Sequence, residues 1–104
     1  MDIHRNLPIE IEPEILSEFC RKNHIKKLSF FGSVLRDDFG PESDVDILVE
    51  FHPDHIPGLL RLAGMEEELS ALLNRKVDIR TKEDLSPYFR PNVVKEAEVG
   101  YAEG

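Results

Sequence analysis

Three carboxylates and one Gly-Ser pair are the residues of this chain whose types and spacing could do chemistry. Ten residues separate Gly32-Ser33 from Asp44-Val45-Asp46. Asp44 and Asp46 are two apart in a run of alternating apolar residues, so on a strand both side chains leave the same face. Two carboxylates that close repel each other unless something positive sits between them. Asp78 lies in a second short apolar run between Val77 and Ile79, again on the face opposite the apolar side chains. If those two strands are neighbours, three carboxylates converge. Hard oxygen ligands of this kind suit Mg²⁺, with Mn²⁺ as an alternative, and such ions commonly share their coordination with substrate phosphates. Two of them side by side can assist both the attacking and the leaving oxygen of an in-line displacement.

The Gly-Ser pair supplies the complementary half. Gly32 has no side chain, so backbone N–H groups there can approach a phosphate. Ser33 adds a hydroxyl at the start of a short helical stretch, where the helix dipole favours anions. Arg36, one turn on, could contact a phosphate, and Ser43 could orient Asp44 or cap the loop. Taken singly, each feature has an ordinary account: a Gly-Ser pair is usually a turn and helix cap, and an Asp-x-Asp is usually a solvated strand face. Their combination, strand to turn to helix to acidic strand, carries the reading.

The elements that must position these residues can be read from periodicity. A helix is expected at 13–23, with Pro13 in its first turn, an apolar stripe of Ile15, Leu16, Phe19 and Cys20, and Asn23 as a left-handed stop. A strand at 25–31 follows, then a short helix at 33–38 and a loop. The second strand, 45–51, places Val45, Ile47, Val49 and Phe51 on one face and Asp44, Asp46 and Leu48 on the other. The longest helix spans 58–73 and stops at Asn74, and a third strand occupies 75–80. Thr81 to Asp84 resembles a capping box opening a short helix, and a last helix runs from Pro91 over 91–99. The order α-β-α-β-α-β-α is that of an α/β (α+β) sandwich, with helices on one face of a small sheet.

Length and composition set the outer bounds. The 104 residues suit one domain, 1–104, with residues 1–11 as an irregular lead-in. With 40% hydrophobic and 33% charged residues the chain reads as globular. No apolar run approaches the roughly 18 residues of a membrane span. The N-terminus has no basic-then-apolar export signal, and the single cysteine, Cys20, fits a reducing, cytoplasmic setting. A net charge of −8 argues against gripping a nucleic-acid backbone, although a nucleotide screened by metal ions could still bind. His52 and His55 form a poor metal site with Asp54 and read as surface loop histidines. Glu66 to Glu68 read as a solvated helix face. Tyr88, Phe89 and Tyr101 read as core or partner contacts.

Gly32-Ser33, ten residues, Asp44-Val45-Asp46 resembles the signature of the DNA polymerase β-like nucleotidyltransferases. The chain length, Arg36, Ser43-Asp44, the Ile47 to Phe51 strand and the Arg75 to Thr81 segment are similar to the smallest branch, the minimal nucleotidyltransferases. The resemblance covers about residues 10–101. It implies a small mixed β-sheet backed by helices, with Asp44, Asp46 and Asp78 as ligands of two Mg²⁺ ions and Asp78 also as a candidate base. The Gly32-Ser33 turn would bind the triphosphate of ATP. Asp37 stands where many family members have Gly. The resemblance further implies a HEPN-domain toxin as protein partner, with AMP moved from ATP to a tyrosine hydroxyl of that toxin, so that the chain acts as its antitoxin. The alternative is a non-catalytic antitoxin that neutralises its partner by binding alone.

Overall fold

The computed structural model describes residues 11–32, 43–88 and 90–103. The lead-in before residue 11, the expected helix at 33–38 with most of its following loop, and Phe89 lie outside the described residues.

Helix α1, Pro13–Lys22, begins on a proline that has no N–H to lose and ends on Arg21 and Lys22, whose charges suit the C-terminal dipole. Its apolar stripe buries Leu16, Phe19 and Cys20. The stop differs from the sequence expectation. Asn23 has φ −101 rather than a left-handed value, and the left-handed residue is His24, at φ 58. Asn23 is buried and its amide donates to the Phe19 carbonyl at 2.9 Å, so its side chain caps the helix and the reversal passes to the next residue.

Four strands follow in the sheet order β3-β2-β1-β4, where β1 is Ile25–Phe31, β2 Val45–Phe51, β3 Val77–Arg80 and β4 Glu98–Ala102. The sheet is mixed: β1 pairs antiparallel with β2 and with β4, while β2 pairs parallel with β3. Leu28 faces Val49, Phe30 faces Ile47, and Ile47 faces Ile79, which assembles one apolar layer across three strands. Helices α1 and α2 (Leu59–Leu73) close over it with Leu16, Phe19, Cys20, Met65, Leu69 and Leu73. Lys22 and Glu68 form an ion pair between the two helices. The opposite face carries Ser29, Leu48, Asp46 and Asp78. Val94 and the adjoining Ala97 from the C-terminal helix region border a small cavity against Ser29 and Leu48 there.

The C-terminal segment departs most from expectation. A helix over 91–99 was anticipated, whereas α3 is Arg90–Glu96 and residues 98–102 form β4. The ladder along the outer edge of β1 outweighs the helical propensity of the segment, because an unpaired edge leaves its N–H and C=O groups to water. Glu103 N–H donates to the Lys26 carbonyl at 2.9 Å and extends this pairing. Gly100 makes the approach possible: a Cβ there would lie 2.6 Å from Cε2 of the buried Phe30. In α2 the buried residues are Met65, Leu69 and Leu73. Leu59 is 87% exposed, while Asn74 adopts the expected left-handed stop at φ 54.

His24 N-terminal to β1 and His52 after β2 are joined by a 3.0 Å bond from the His52 N–H to the His24 carbonyl. The His24 and His55 rings stack with centroids 3.9 Å apart, and His52 pairs with Glu103 at 2.5 Å. Loss of solvation, then the neighbouring His55, Arg61 and His52, hold the His24 pKa below its ordinary 6.5.

Two predictions follow from this packing. Gly100→Ala should cost about 1–3 kcal/mol in urea denaturation, since a rigid buried ring has to move; a neutral result would contradict the close approach. For His24, the unfolded chain binds the extra proton at a higher pH than the fold does. Stability should therefore decline as pH falls through 6.5 towards the lower folded value. His24→Asn, which tolerates the left-handed backbone, should flatten that decline in urea midpoints measured across the window.

Candidate active site

Strand β2 lies inside the sheet, and its partner on one side is the short edge strand β3. The parallel ladder opens with the Val45 N–H bonded to the Lys76 carbonyl at 2.8 Å and sets Asp46 opposite Asp78. Parallel neighbours are about 4.8 Å apart, so the two carboxylates rise side by side from the face away from the core. Helix α2 holds β3 in place from its outer edge. Ser70 Oγ accepts from the Val77 N–H at 2.9 Å and Glu66 Oε2 from the Ile79 N–H at 2.7 Å. These two bonds bracket Asp78. Glu66 and Glu68 are therefore more than the solvated face expected from sequence: one anchors β3 and the other pairs with Lys22.

Gly32 follows the last residue of β1, Phe31, which is the register partner of Asp46. Its φ of +74 is a left-handed conformation that side chains rarely adopt, and a Cβ built on it would lie 2.3 Å from Asp46 Oδ2. The glycine turn is thus packed directly against one of the acidic side chains. Of the other expected residues, Ser43 is half-buried and Asp44 exposed, both immediately before β2. Ser33 and Arg36 lie outside the described residues.

Arg80 was missed by sequence reasoning. It is two residues from Asp78 on β3, so it shares the acidic face, and that spacing was the available signal. Its Nη2 and Nε both donate to Asp78 Oδ2, at 3.0 and 3.2 Å. The hydrogen bond that the guanidinium donates to Asp78, then the charge of that carboxylate, raise the pKa of Arg80. Among the described residues no three His, Cys, Asp or Glu side chains stand together as a metal-ligand set. Asp46 and Asp78 are brought together, whereas Asp44 stands two residues back along the chain. Cys20 is excluded as a nucleophile, since burial pushes its thiol up to about 12.

A glycine turn at the end of one strand, an Asp-x-Asp entering the next and a third Asp in register make up the candidate site. Residues 12–99 match the family model described as nucleotidyltransferase domain, and the chain belongs to that family, within its minimal branch. It is similar to protein adenylyltransferase MntA of Thermococcus cleftensis, with 39% identity over 72 residues that span 69% of this chain and 71% of the relative. A crystal structure of a toxin–antitoxin with AMP-PNP shares the fold, at a TM-score of 0.72 and 18% identity, covering 89% of this chain and 75% of that one. So does a structure of tri-AMPylated Shewanella oneidensis HEPN toxin in complex with MNT antitoxin, at a TM-score of 0.63 and 18% identity, covering 88% and 70%. The chain is a nucleotidyltransferase with a nucleotide substrate.

Because the Gly32 turn bears on Asp46, Gly32→Ala should displace that carboxylate and cost about 1–3 kcal/mol in stability through the left-handed backbone and the contact together. Urea denaturation with a structure of the variant checks both. An unmoved Asp46 would contradict the packing described.

Proposed function

We propose that this chain is a Mg²⁺-dependent protein adenylyltransferase that moves AMP from ATP to a tyrosine hydroxyl of a HEPN-domain toxin, and so acts as that toxin's antitoxin. The observation that carries the reading is the register of Asp46 against Asp78 with the Gly32 turn packed on Asp46. The name of the Thermococcus relative supports adenylyl transfer to a protein, and the Shewanella complex supports a HEPN toxin as acceptor. A buried free thiol at Cys20 fits a cytoplasmic setting.

The donor set suits the ion. Asp46 and Asp78 offer hard oxygens from one face of two bonded strands, with Asp44 two residues before Asp46, and that face already holds one positive charge, the Arg80 guanidinium. Two Mg²⁺ ions, or Mn²⁺, held there by Asp44, Asp46 and Asp78 would supply the charge that neutralises the triphosphate. The Gly32-Ser33 turn would hold the triphosphate through backbone N–H groups and the Ser33 hydroxyl, with Arg36 as a further phosphate contact and Ser43 orienting Asp44. The tyrosine oxygen attacks the α-phosphorus, the bond to the β-phosphate oxygen breaks, and pyrophosphate leaves. Asp78 would take the tyrosine proton, which requires its carboxylate to be released from Arg80 at least in part.

The second reading is neutralisation by binding alone. It is favoured by the Arg80–Asp78 pair, which occupies one of the three carboxylates. Incubation with labelled ATP, Mg²⁺ and a HEPN-domain toxin from the same organism separates the two. Asp44→Asn with Asp46→Asn should lower labelling of the toxin at least 100-fold and abolish its neutralisation, a scale ordinary for loss of groups that act on the transition state. Full neutralisation by the double variant would sink the catalytic reading in favour of the binding one.

A further inference from the structure

We propose that Arg80 is a built-in counter-cation of the acidic face: it holds the Asp78 carboxylate in the metal-free enzyme and must cede it when a divalent ion binds. The inference rests on the reading of Asp46 and Asp78 as metal ligands given above.

Arg80 and Asp78 are alternate residues of β3, so both side chains emerge beside Asp46 and Leu48, the register partners across the ladder. Both guanidinium bonds, from Nε and Nη2, fall on the single oxygen Oδ2. A fork that donates twice to one carboxylate oxygen neutralises that oxygen as a metal ligand while leaving the backbone of β3 undisturbed. The pair is also open to exchange. Its side chains are 48% and 36% exposed, and ion pairs so accessible to water contribute little to stability. Its value is electrostatic. Two carboxylates side by side on bonded strands repel, and an arginine, which cannot lose its proton in a protein, relieves that repulsion at every pH. The Val77 and Ile79 amides are held by Ser70 and Glu66 of α2, so Arg80 can swing away without β3 leaving its register. Residue 80 thus competes with the cation for the carboxylate and sets the metal concentration at which the face becomes loaded.

The competition is read directly by Mn²⁺ binding, followed through the electron paramagnetic resonance of free Mn²⁺ with no nucleotide present. Arg80→Gln keeps a polar, though shorter, side chain but removes the charge, and should bind Mn²⁺ about three- to tenfold more tightly than the natural chain, an effect that shrinks as salt screens the site. In an Asp78→Asn background the same change should have much less effect, because the contested carboxylate is gone. Far-ultraviolet circular dichroism and urea midpoints report whether each variant folds; both positions are half exposed on an edge strand. Should Arg80→Gln fold and bind Mn²⁺ more weakly, Arg80 orients Asp78 for the metal and the counter-cation role is overturned. Equal affinities for the natural chain and Arg80→Gln would also overturn it. Absence of Mn²⁺ binding in every folded variant would overturn the metal reading itself, and this inference with it.

Discussion

The parallel ladder between β2 and β3 is the contact on which the rest of the structure depends. It is the one parallel pairing in the described sheet, and it joins strands that are adjacent in space but separated by the whole of α2. A parallel pair cannot be closed by a hairpin, so the chain needs a crossover connection between the two strands, and α2 lies in it. Helix α2 serves the pairing in two ways. Met65, Leu69 and Leu73 enter the core, while Glu66 and Ser70 accept the outward N–H groups of Ile79 and Val77. An edge strand of four residues is thereby held on both sides. A slip of one residue would turn Val77 and Ile79 out of the core and Asp78 into it, so burial and carboxylate alignment enforce the same register.

On the other flank of β2, the antiparallel ladder to β1 brings the Gly32 turn to Asp46. Phe30 and Ile47 pair in the core, Phe31 and Asp46 pair on the opposite face, and the next residue turns tightly enough that no Cβ fits. The two halves of the motif are thus fixed by the same apolar pairs that make the core. Strand β4 completes the arrangement by covering the outer edge of β1, with Gly100 lying over the Phe30 ring. The acidic face is consequently mounted on a sheet whose other side is fully packed, which suits a site that must keep carboxylates close against their mutual repulsion.

Arg80 shows how such a face is tolerated. Asp46 and Asp78 would be a costly pair if left alone, and the chain places a permanent positive charge two residues along the same strand. The arginine is how this chain balances the acidic pair.

Much of this was legible in the residues themselves. Period-two alternation in 45–51 placed Asp46 opposite the core side chains, and the helical stripe of Ile15, Leu16, Phe19 and Cys20 announced α1, although Ile15 stays exposed, because both signals are local consequences of backbone geometry. The Gly-Ser turn and the Asp-x-Asp pointed to nucleotidyl chemistry at a stated spacing. What remained hidden depended on partners distant in sequence. Strand β4 carries a glycine and helix-forming neighbours, so only the free edge of β1 makes it a strand. Asn23 looked like a left-handed stop until its amide found the Phe19 carbonyl, and the turn moved to His24. Glu66 and Ser70 have no local signature, since their roles exist only once β3 lies between β2 and α2, and the two-residue spacing of Arg80 from Asp78 gives a shared face but not the pairing. Sequence by itself determined which residues face away from the core, through the fixed periods of strand and helix. Only the tertiary structure decided which of those residues meet, because ladder register and helix packing are set by burial summed over the whole sheet.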